Sequence, residues 1–187
     1  MRVIAGTARG VRLAAPDGKV TRPTADRVKE ALFSIISSRH ELSGTRVLDI
    51  CAGTGGLGIE ALSRGAASCC FIEQDRNVMK VLERNLSTTG FGSRSECLVL
   101  DALKGLQLLS RRGQYFDIIF FDPPYASGLY ATVPEALNSL SLLSDQALLV
   151  MECSSRVSLP ERCGMLVRID RRVYGDTALE FFAGECL

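Results

Sequence analysis

A chain of 187 residues and 20.3 kDa suffices for one domain with a full hydrophobic core and is too short for two independent ones. At 47% hydrophobic and 23% charged, it excludes disorder, collagen-like repeats and a long coiled coil. The net charge of +1 hides a split, because residues 1–30 carry seven basic and three acidic groups, +4, and the remainder carries −3.

In chain order, residues 2–5 and 11–13 can pair as a small hairpin across Gly6 and Gly10, and Gly18 to Pro23 reads as a loop. Residues 24–37 read as an amphipathic helix capped by Thr24, with Val28, Leu32, Ile35 and Ile36 as its apolar stripe and with Arg27 and Lys29 left near the Arg22-Pro23-Thr24 loop. A basic arm ahead of a mildly acidic body suits a polyanion, since phosphate neutralisation releases counterions; a merely solvated basic surface is the alternative. The arm precedes the sheet and contributes nothing evident to a cofactor pocket.

Alternation begins at residues 45–50, a short apolar strand ending in glycines, followed by a helix over 57–64 that Gly65 stops. Strands at 68–73, 95–100, 116–121 and 147–152 then alternate with helices at 76–87, 102–110 and near 129–142. Such alternation builds a parallel sheet covered on both faces, so its strands are apolar almost throughout. Residues 165–174 and 178–183 break the pattern and form an antiparallel hairpin across Gly175-Asp176-Thr177. The expected fold is a Rossmann-like α/β domain with a mostly parallel seven-stranded sheet, an antiparallel C-terminal hairpin and an N-terminal hairpin and helix extension. One domain covers 1–187, with residues 1–44 as the basic extension and 45–187 as the catalytic core.

No apolar run approaches the roughly 18 residues of a membrane span, and MRVIAGTARGVRL lacks an apolar signal core. A cytoplasmic setting is expected. Seven cysteines, none in a C-x-x-C pair or beside the single histidine, argue for reduced core thiols and against a zinc site.

Four features fall at the carboxyl ends of four successive predicted strands, where open parallel sheets bind ligands. The first is Asp49-Ile50-Cys51-Ala52-Gly53-Thr54-Gly55-Gly56-Leu57-Gly58, whose G-x-G-x-x-G spacing alone also fits a dinucleotide turn. Asp49 separates the two, because a carboxylate suits the ammonium or sulfonium of S-adenosylmethionine (SAM) and offers nothing to a pyrophosphate. Glu73, followed by Gln74, stands where an acid accepts from a ribose diol, in SAM and NAD alike. Asp101, followed by Ala102, can contact an adenine amine or simply cap the next helix. The fourth is Asp122-Pro123-Pro124-Tyr125. Its prolines hold the chain extended, leaving the Pro123 carbonyl beside the Asp122 carboxylate as two acceptors for an exocyclic amine, and Tyr125 supplies a ring face for a planar base.

The glycine motif and Asp122-Pro123-Pro124-Tyr125 resemble class I SAM-dependent amino-methyltransferases. Arg2-Val3-Ile4-Ala5-Gly6, Gly10 with Arg12, the stretch from Arg22-Pro23-Thr24 to Phe33, and Leu57 to Ala66 make the chain similar to the RsmD family over nearly its whole length. That resemblance implies methylation of a guanine N2 in small-subunit (16S) rRNA during ribosome assembly, in a bacterial cytoplasm. Cys51 and Thr54 depart from the Phe and Ser frequent in such proteins, which touches cofactor affinity and leaves the chemistry intact.

The expected cofactor contacts are Asp49, Ala52, Gly53, Gly55, Gly58, Glu73, Gln74, Asp101 and Ala102. Asp122, Pro123, Pro124 and Tyr125 are expected to act on the substrate, and Arg9, Arg12, Arg22, Thr24 and Arg27 to hold RNA. The expected cofactor is SAM without a metal, and the partner is 16S rRNA or the assembling 30S subunit; nothing demands a dimer or a membrane. The alternatives are a DNA adenine-N6 or protein glutamine-N5 methyltransferase, an NAD(P)-binding oxidoreductase and a noncatalytic RNA-binding protein. The first lacks a separate target-recognition domain for DNA, the second is weakened by Asp49, and the third needs no Asp-Pro-Pro-Tyr pocket.

Overall fold

A computed structural model describes residues 1–16, 26–124 and 128–184. Among these the helices are α1 (Asp26–Arg39), α2 (Gly56–Ser63), α3 (Arg76–Thr89), α4 (Ala102–Arg111) and α5 (Leu129–Ser139). The strands are β1 (Arg46–Ile50), β2 (Ser68–Ile72), β3 (Ser95–Leu98), β4 (Phe116–Phe121), β5 (Leu143–Ser154), β6 (Arg162–Cys163), β7 (Leu166–Tyr174) and β8 (Thr177–Gly184). They form one sheet in the order β3-β2-β1-β4-β5-β8-β7-β6. The first five strands are parallel, and β8, β7 and β6 pair antiparallel.

The sheet thus has eight strands where the sequence suggests seven. The additional β6 is two residues long and pairs only with Leu166 and Val167, too short to show any alternation. The hairpin turn is tighter than expected, with Thr177 already in β8 and Gly175 adopting φ 61°, which favours glycine. β5 begins four residues early, because Leu143 pairs with Phe116 ahead of an irregularity in the ladder.

Strand alternation builds two cores. Val47, Ile118, Phe120, Leu148, Val150, Leu179 and Phe181 face α1, α2 and α3, and Leu48, Ile50, Ile119, Phe121, Leu149, Met151 and Phe182 face α4 and α5. Burying each such side chain stabilises by roughly 1.5–3 kcal/mol. No helix among the described residues is long and apolar enough to cross a membrane.

α1 is described from Asp26 and ends at Arg39, two residues beyond the expected end, and Thr24 lies outside the described residues. Its buried face is Lys29, Leu32, Phe33 and Ile36, with Val28 and Ile35 only partly covered. Phe33 packs on Phe120 with ring centroids 5.7 Å apart. Lys29 is fully buried, with Nζ donating to Arg2 O at 2.6 Å and pairing with Glu60 at 3.2 Å, while the Arg22-Pro23-Thr24 loop beside which it was expected lies outside the described residues.

The expected N-terminal hairpin is reduced to a single antiparallel bridge, Arg2 with Arg12, supported by Val3 N–H donating to Val11 O and Leu13 N–H to Met1 O, both at 3.0 Å. It docks on the end of α2. The buried Glu60 carboxylate accepts the Ile4 and Ala5 amides at 2.8 and 3.0 Å, and Ser63 Oγ accepts the Ala8 amide at 3.0 Å. Contact is so close at Gly6 that a Cβ there would lie 1.8 Å from Ser63 O. The extension therefore shares one core with the sheet, through Val3, Ala8 and Leu13.

Candidate functional site

A cavity of about 710 Å³ opens at the carboxyl ends of the parallel strands. That position follows from topology. The chain leaves β1 toward one side of the sheet and β4 toward the other, so a crevice forms where the loops diverge.

Residues 51–54 form the floor. Cys51 adopts φ 59°, so it belongs to the turn and not to the strand, and burial beside Glu73, Asp122 and Asp49 pushes its thiol up to about 12. It is no nucleophile near neutral pH. Gly53, at φ 56°, has open space where a Cβ would stand, the kind of backbone surface a ligand can approach closely. The two later glycines do other work: neither Gly55 nor Gly58 lines the cavity. Gly55, at φ 82°, caps α2 in the left-handed conformation, and a Cβ at Gly58 would stand 2.3 Å from the Phe71 ring and 2.6 Å from Cys69 Sγ. Gly58 is therefore where α2 presses onto β2.

The expected carboxylates converge with backbone partners of their own. Asp49, 2% exposed, accepts the Gly58 amide at 2.9 Å. Burial pushes its carboxyl up to about 7 against the opposing Gly58 N–H, with Glu73 adding to the rise. Glu73 accepts the Gly53 amide at 3.0 Å and the Asp75 amide at 2.9 Å, fixing the floor to the end of β2. Asp101 caps α4 by accepting the Lys104 amide at 3.0 Å and also lines the cavity, so the capping role leaves it at the site. Ala52, Gln74 and Ala102 line it as well.

Asp122, Pro123 and Pro124 form a wall of the cavity at the end of β4, beside β1, while Tyr125 lies outside the described residues. Burial, then Glu152, then Asp49 hold the Asp122 carboxyl well above the usual carboxylate range. Glu152 is a wall residue that no sequence motif marks. Alternation explains its place: Asp49, Asp122 and Glu152 each lie two residues beyond a side chain of the α1–α3 face, namely Val47, Phe120 and Val150. Three carboxylates on three adjacent strands thus share one face of the sheet at its carboxyl end.

The roof corrects another expectation. Met1, Leu13, Ala14, Ala15, Val28 and Lys29 line the cavity, so the N-terminal extension helps to enclose it. Asn85 of α3, 1% exposed, holds this roof to the floor. Its Oδ1 accepts the Ala14 amide at 2.7 Å, and its Nδ2 donates to Ala14 O at 3.2 Å and to Thr54 O at 3.0 Å. The only hint in the sequence is a polar residue inside the Leu82 and Leu86 stripe. Arg9, Arg12 and Arg27 are exposed and carry no ion pair among the described residues, whereas Arg2 pairs with Asp26 at 3.2 Å. Arg22 lies outside the described residues.

Comparison with known proteins agrees with this geometry. The family model described as conserved hypothetical protein 95 matches residues 1–183. Bacillus subtilis YlbH is 36% identical over 182 residues, covering 97% of this chain and 98% of its own. Ribosomal RNA small subunit methyltransferase D of Escherichia coli K12 is 37% identical over 160 residues, covering 86% of this chain and 78% of its own. The solved structure of the E. coli protein yhhF superposes with a TM-score of 0.85 at 34% identity, covering 100% of this chain and 99% of that one. From the glycine turn, the Asp-Pro-Pro wall and these full-length matches, the chain belongs to the RsmD family of methyltransferases.

Proposed function

We propose that the protein transfers a methyl group from SAM to the exocyclic N2 amine of a guanine in small-subunit rRNA. The observation that carries this reading is the meeting, in one cavity, of the glycine floor and the Asp122-Pro123-Pro124 wall. The residues present fit SAM. Gly53 leaves room for a close approach, buried Asp49 suits a cationic group, and Glu73 and Asp101 line the cavity as acceptors suited to a ribose diol and an adenine amine. The name of the E. coli relative supports rRNA as the substrate.

SAM, when bound, supplies an electrophilic methyl. The chain does the rest by orientation and electrostatics. Asp122 accepts one N–H of the amine and the Pro123 carbonyl the other, which aims the nitrogen lone pair into the cavity. As positive charge develops on that nitrogen, the carboxylate stabilises it, and its raised proton affinity suits it to take the proton the product sheds.

Asp49 gives this reading a pH signature. Its folded value of about 7 lies above the ordinary 3.8. Its contribution to stability is therefore full below about pH 4 and is lost as pH rises through about 7. A bound cation favours the ionised form, so SAM affinity is expected to fall as pH drops below the Asp49 value, toward about tenfold per pH unit, with proton release on binding. Calorimetry in buffers of different ionisation enthalpy checks this, and Asp49→Asn should flatten the dependence.

Asn85→Leu removes three hydrogen bonds of ordinary strength, each worth about 1 kcal/mol. Roof and floor then separate more readily, and SAM is expected to bind about tenfold more weakly by calorimetry.

RNA contact is assigned to Arg9, Arg12, Arg22, Thr24 and Arg27. Replacing Arg9, Arg12 or Arg27 by Ala should lower rRNA affinity and reduce the log–log salt slope by roughly 0.7–0.9 per lost phosphate contact. Filter binding across a salt series measures both, and an unaltered slope removes the assignment. The reading as a whole is tested by labelled methyl transfer from SAM to small-subunit rRNA, assembled small subunits, large-subunit rRNA and DNA, with the small-subunit substrates expected to accept it.

A further inference from the structure

Glu152 has no part in the mechanism above, and its surroundings suit a definite task. It ends the purely parallel portion of the sheet on β5, beside Asp122. Phe121 of β4 pairs with Met151 of β5, so the next residues, Asp122 and Glu152, stand level on neighbouring strands, and alternation turns both toward the α1–α3 face. Both line the cavity, with Pro123 following on the same wall. Glu152 is 8% exposed, and its backbone carbonyl is fixed by the Tyr130 hydroxyl at 3.1 Å. A carboxylate this shielded from water needs hydrogen-bond donors, and Glu152 has partners within the chain as well as a place on the cavity wall.

The residues along this wall carry acceptor groups in sequence, the Glu152 carboxylate, the Asp122 carboxylate and the Pro123 carbonyl. Among the bases, guanine presents adjacent donors on its Watson–Crick edge, N1–H beside N2–H₂. Adenine places an acceptor, N1, next to its amine, and cytosine likewise places N3 next to its own. An all-acceptor wall matches guanine and repels the lone pair of the other two. Glu152 also has interactions within the chain, and because a carboxylate carries about four acceptor positions, such interactions and a base N–H can be accommodated together.

We propose that Glu152 is the specificity-determining residue of the base pocket, accepting guanine N1–H while Asp122 and Pro123 hold N2. This rests on the reading of the protein as a guanine-N2 methyltransferase. It adds the residue that would make that choice. No bond is made or broken at Glu152, and its work is discrimination by hydrogen bonding. A site built to bond an N–H rejects an analogue that lacks it far more strongly than a methylene-sized mismatch is rejected, because the buried acceptor is left unpaired.

The test uses one change in the protein and one in the base. The position methylated by the wild type is first mapped by mass spectrometry. An rRNA fragment spanning it is then synthesised with guanine or with 2-aminopurine there. 2-Aminopurine keeps the N2 amine but has an acceptor at N1. Wild type should prefer guanine by about 10²-fold or more in kcat/KM, within the range seen when one bonded group is missing. Glu152→Gln keeps shape while replacing one acceptor oxygen by an NH₂ donor. It should lose at least about tenfold on guanine and gain on 2-aminopurine, narrowing the preference by about 10²-fold, the scale of one good bidentate base contact on each side. S-adenosylhomocysteine affinity and melting temperature, measured on the same variant, should stay near wild type.

A Glu152→Gln preference equal to that of wild type overturns the proposal. So does loss of S-adenosylhomocysteine binding in the variant, which would place Glu152 with the cofactor or the fold. A wild type that methylates no guanine N2 in small-subunit rRNA instead refutes the underlying reading, and it does so before the variant is made.

Discussion

Asp122→Ala is expected to lower methyl transfer at saturating SAM by about 10²-fold or more while leaving cofactor affinity within a few fold of wild type. The asymmetry follows from position. Asp122 lines the cavity with Pro123 and Pro124 at the end of β4, one strand over from Asp49, and in the proposed reading its carboxylate faces the reacting amine and not the cofactor. It acts on charge that develops only in the transition state, so its loss appears in turnover more than in binding. Asp122→Asn keeps one carbonyl acceptor and loses the charge, so it should fall between Ala and wild type. Single-turnover rates with prebound RNA separate the step from association. Equal losses in turnover and in SAM affinity would show that Asp122 belongs to the cofactor site.

Glu60→Ala should have the largest effect on stability. Lys29 and Glu60 are both fully buried 3.2 Å apart, and Glu60 additionally accepts the Ile4 and Ala5 amides and Arg64 Nε at 2.9 Å. Removing the carboxylate strands an ammonium in a low-dielectric core and releases the N-terminal bridge at once. Breaking a buried pair in this way costs about 3–5 kcal/mol, a melting shift on the order of 10 °C for a domain of this size. The pair itself is a weaker source of stability than that figure suggests, since both charges were desolvated to form it. The double change Lys29→Met with Glu60→Gln should therefore recover much of the loss. Denaturant titration reads the sequence of effects, and a Glu60→Ala penalty under about 1 kcal/mol would contradict the burial of Lys29.

This pair also shows where sequence reading stops. The parallel sheet is legible because strands such as FDIIFF are apolar on both faces and alternate with helical segments. The Asp-Pro-Pro wall is legible because two prolines after a strand constrain the backbone whatever surrounds them. Lys29 reads as one more cation of a basic arm, since nothing near it in sequence reveals that Glu60, on another helix, waits beneath it. Glu152 is hidden for a related reason: one acid in ALLVMECS acquires meaning only when β5 is known to lie beside β4, with Glu152 level with Asp122. Glycine is ambiguous in itself. The same motif supplies Gly53 to the cavity and Gly58 to the contact with Phe71, and only the space around each separates them. The roof escapes notice because Ala14 and Ala15 have no distinctive chemistry, and Asn85, which holds Ala14, is 71 residues away.

The most direct measurement of the central claim is nucleoside mass spectrometry of small-subunit rRNA after incubation with SAM and either wild type or Asp122→Ala. The result expected is N2-methylguanosine at a single position with wild type and about 10²-fold less with the variant at equal time. Methylation of adenine, of DNA or of protein by wild type, or unimpaired N2-methylguanosine formation by Asp122→Ala, would contradict it.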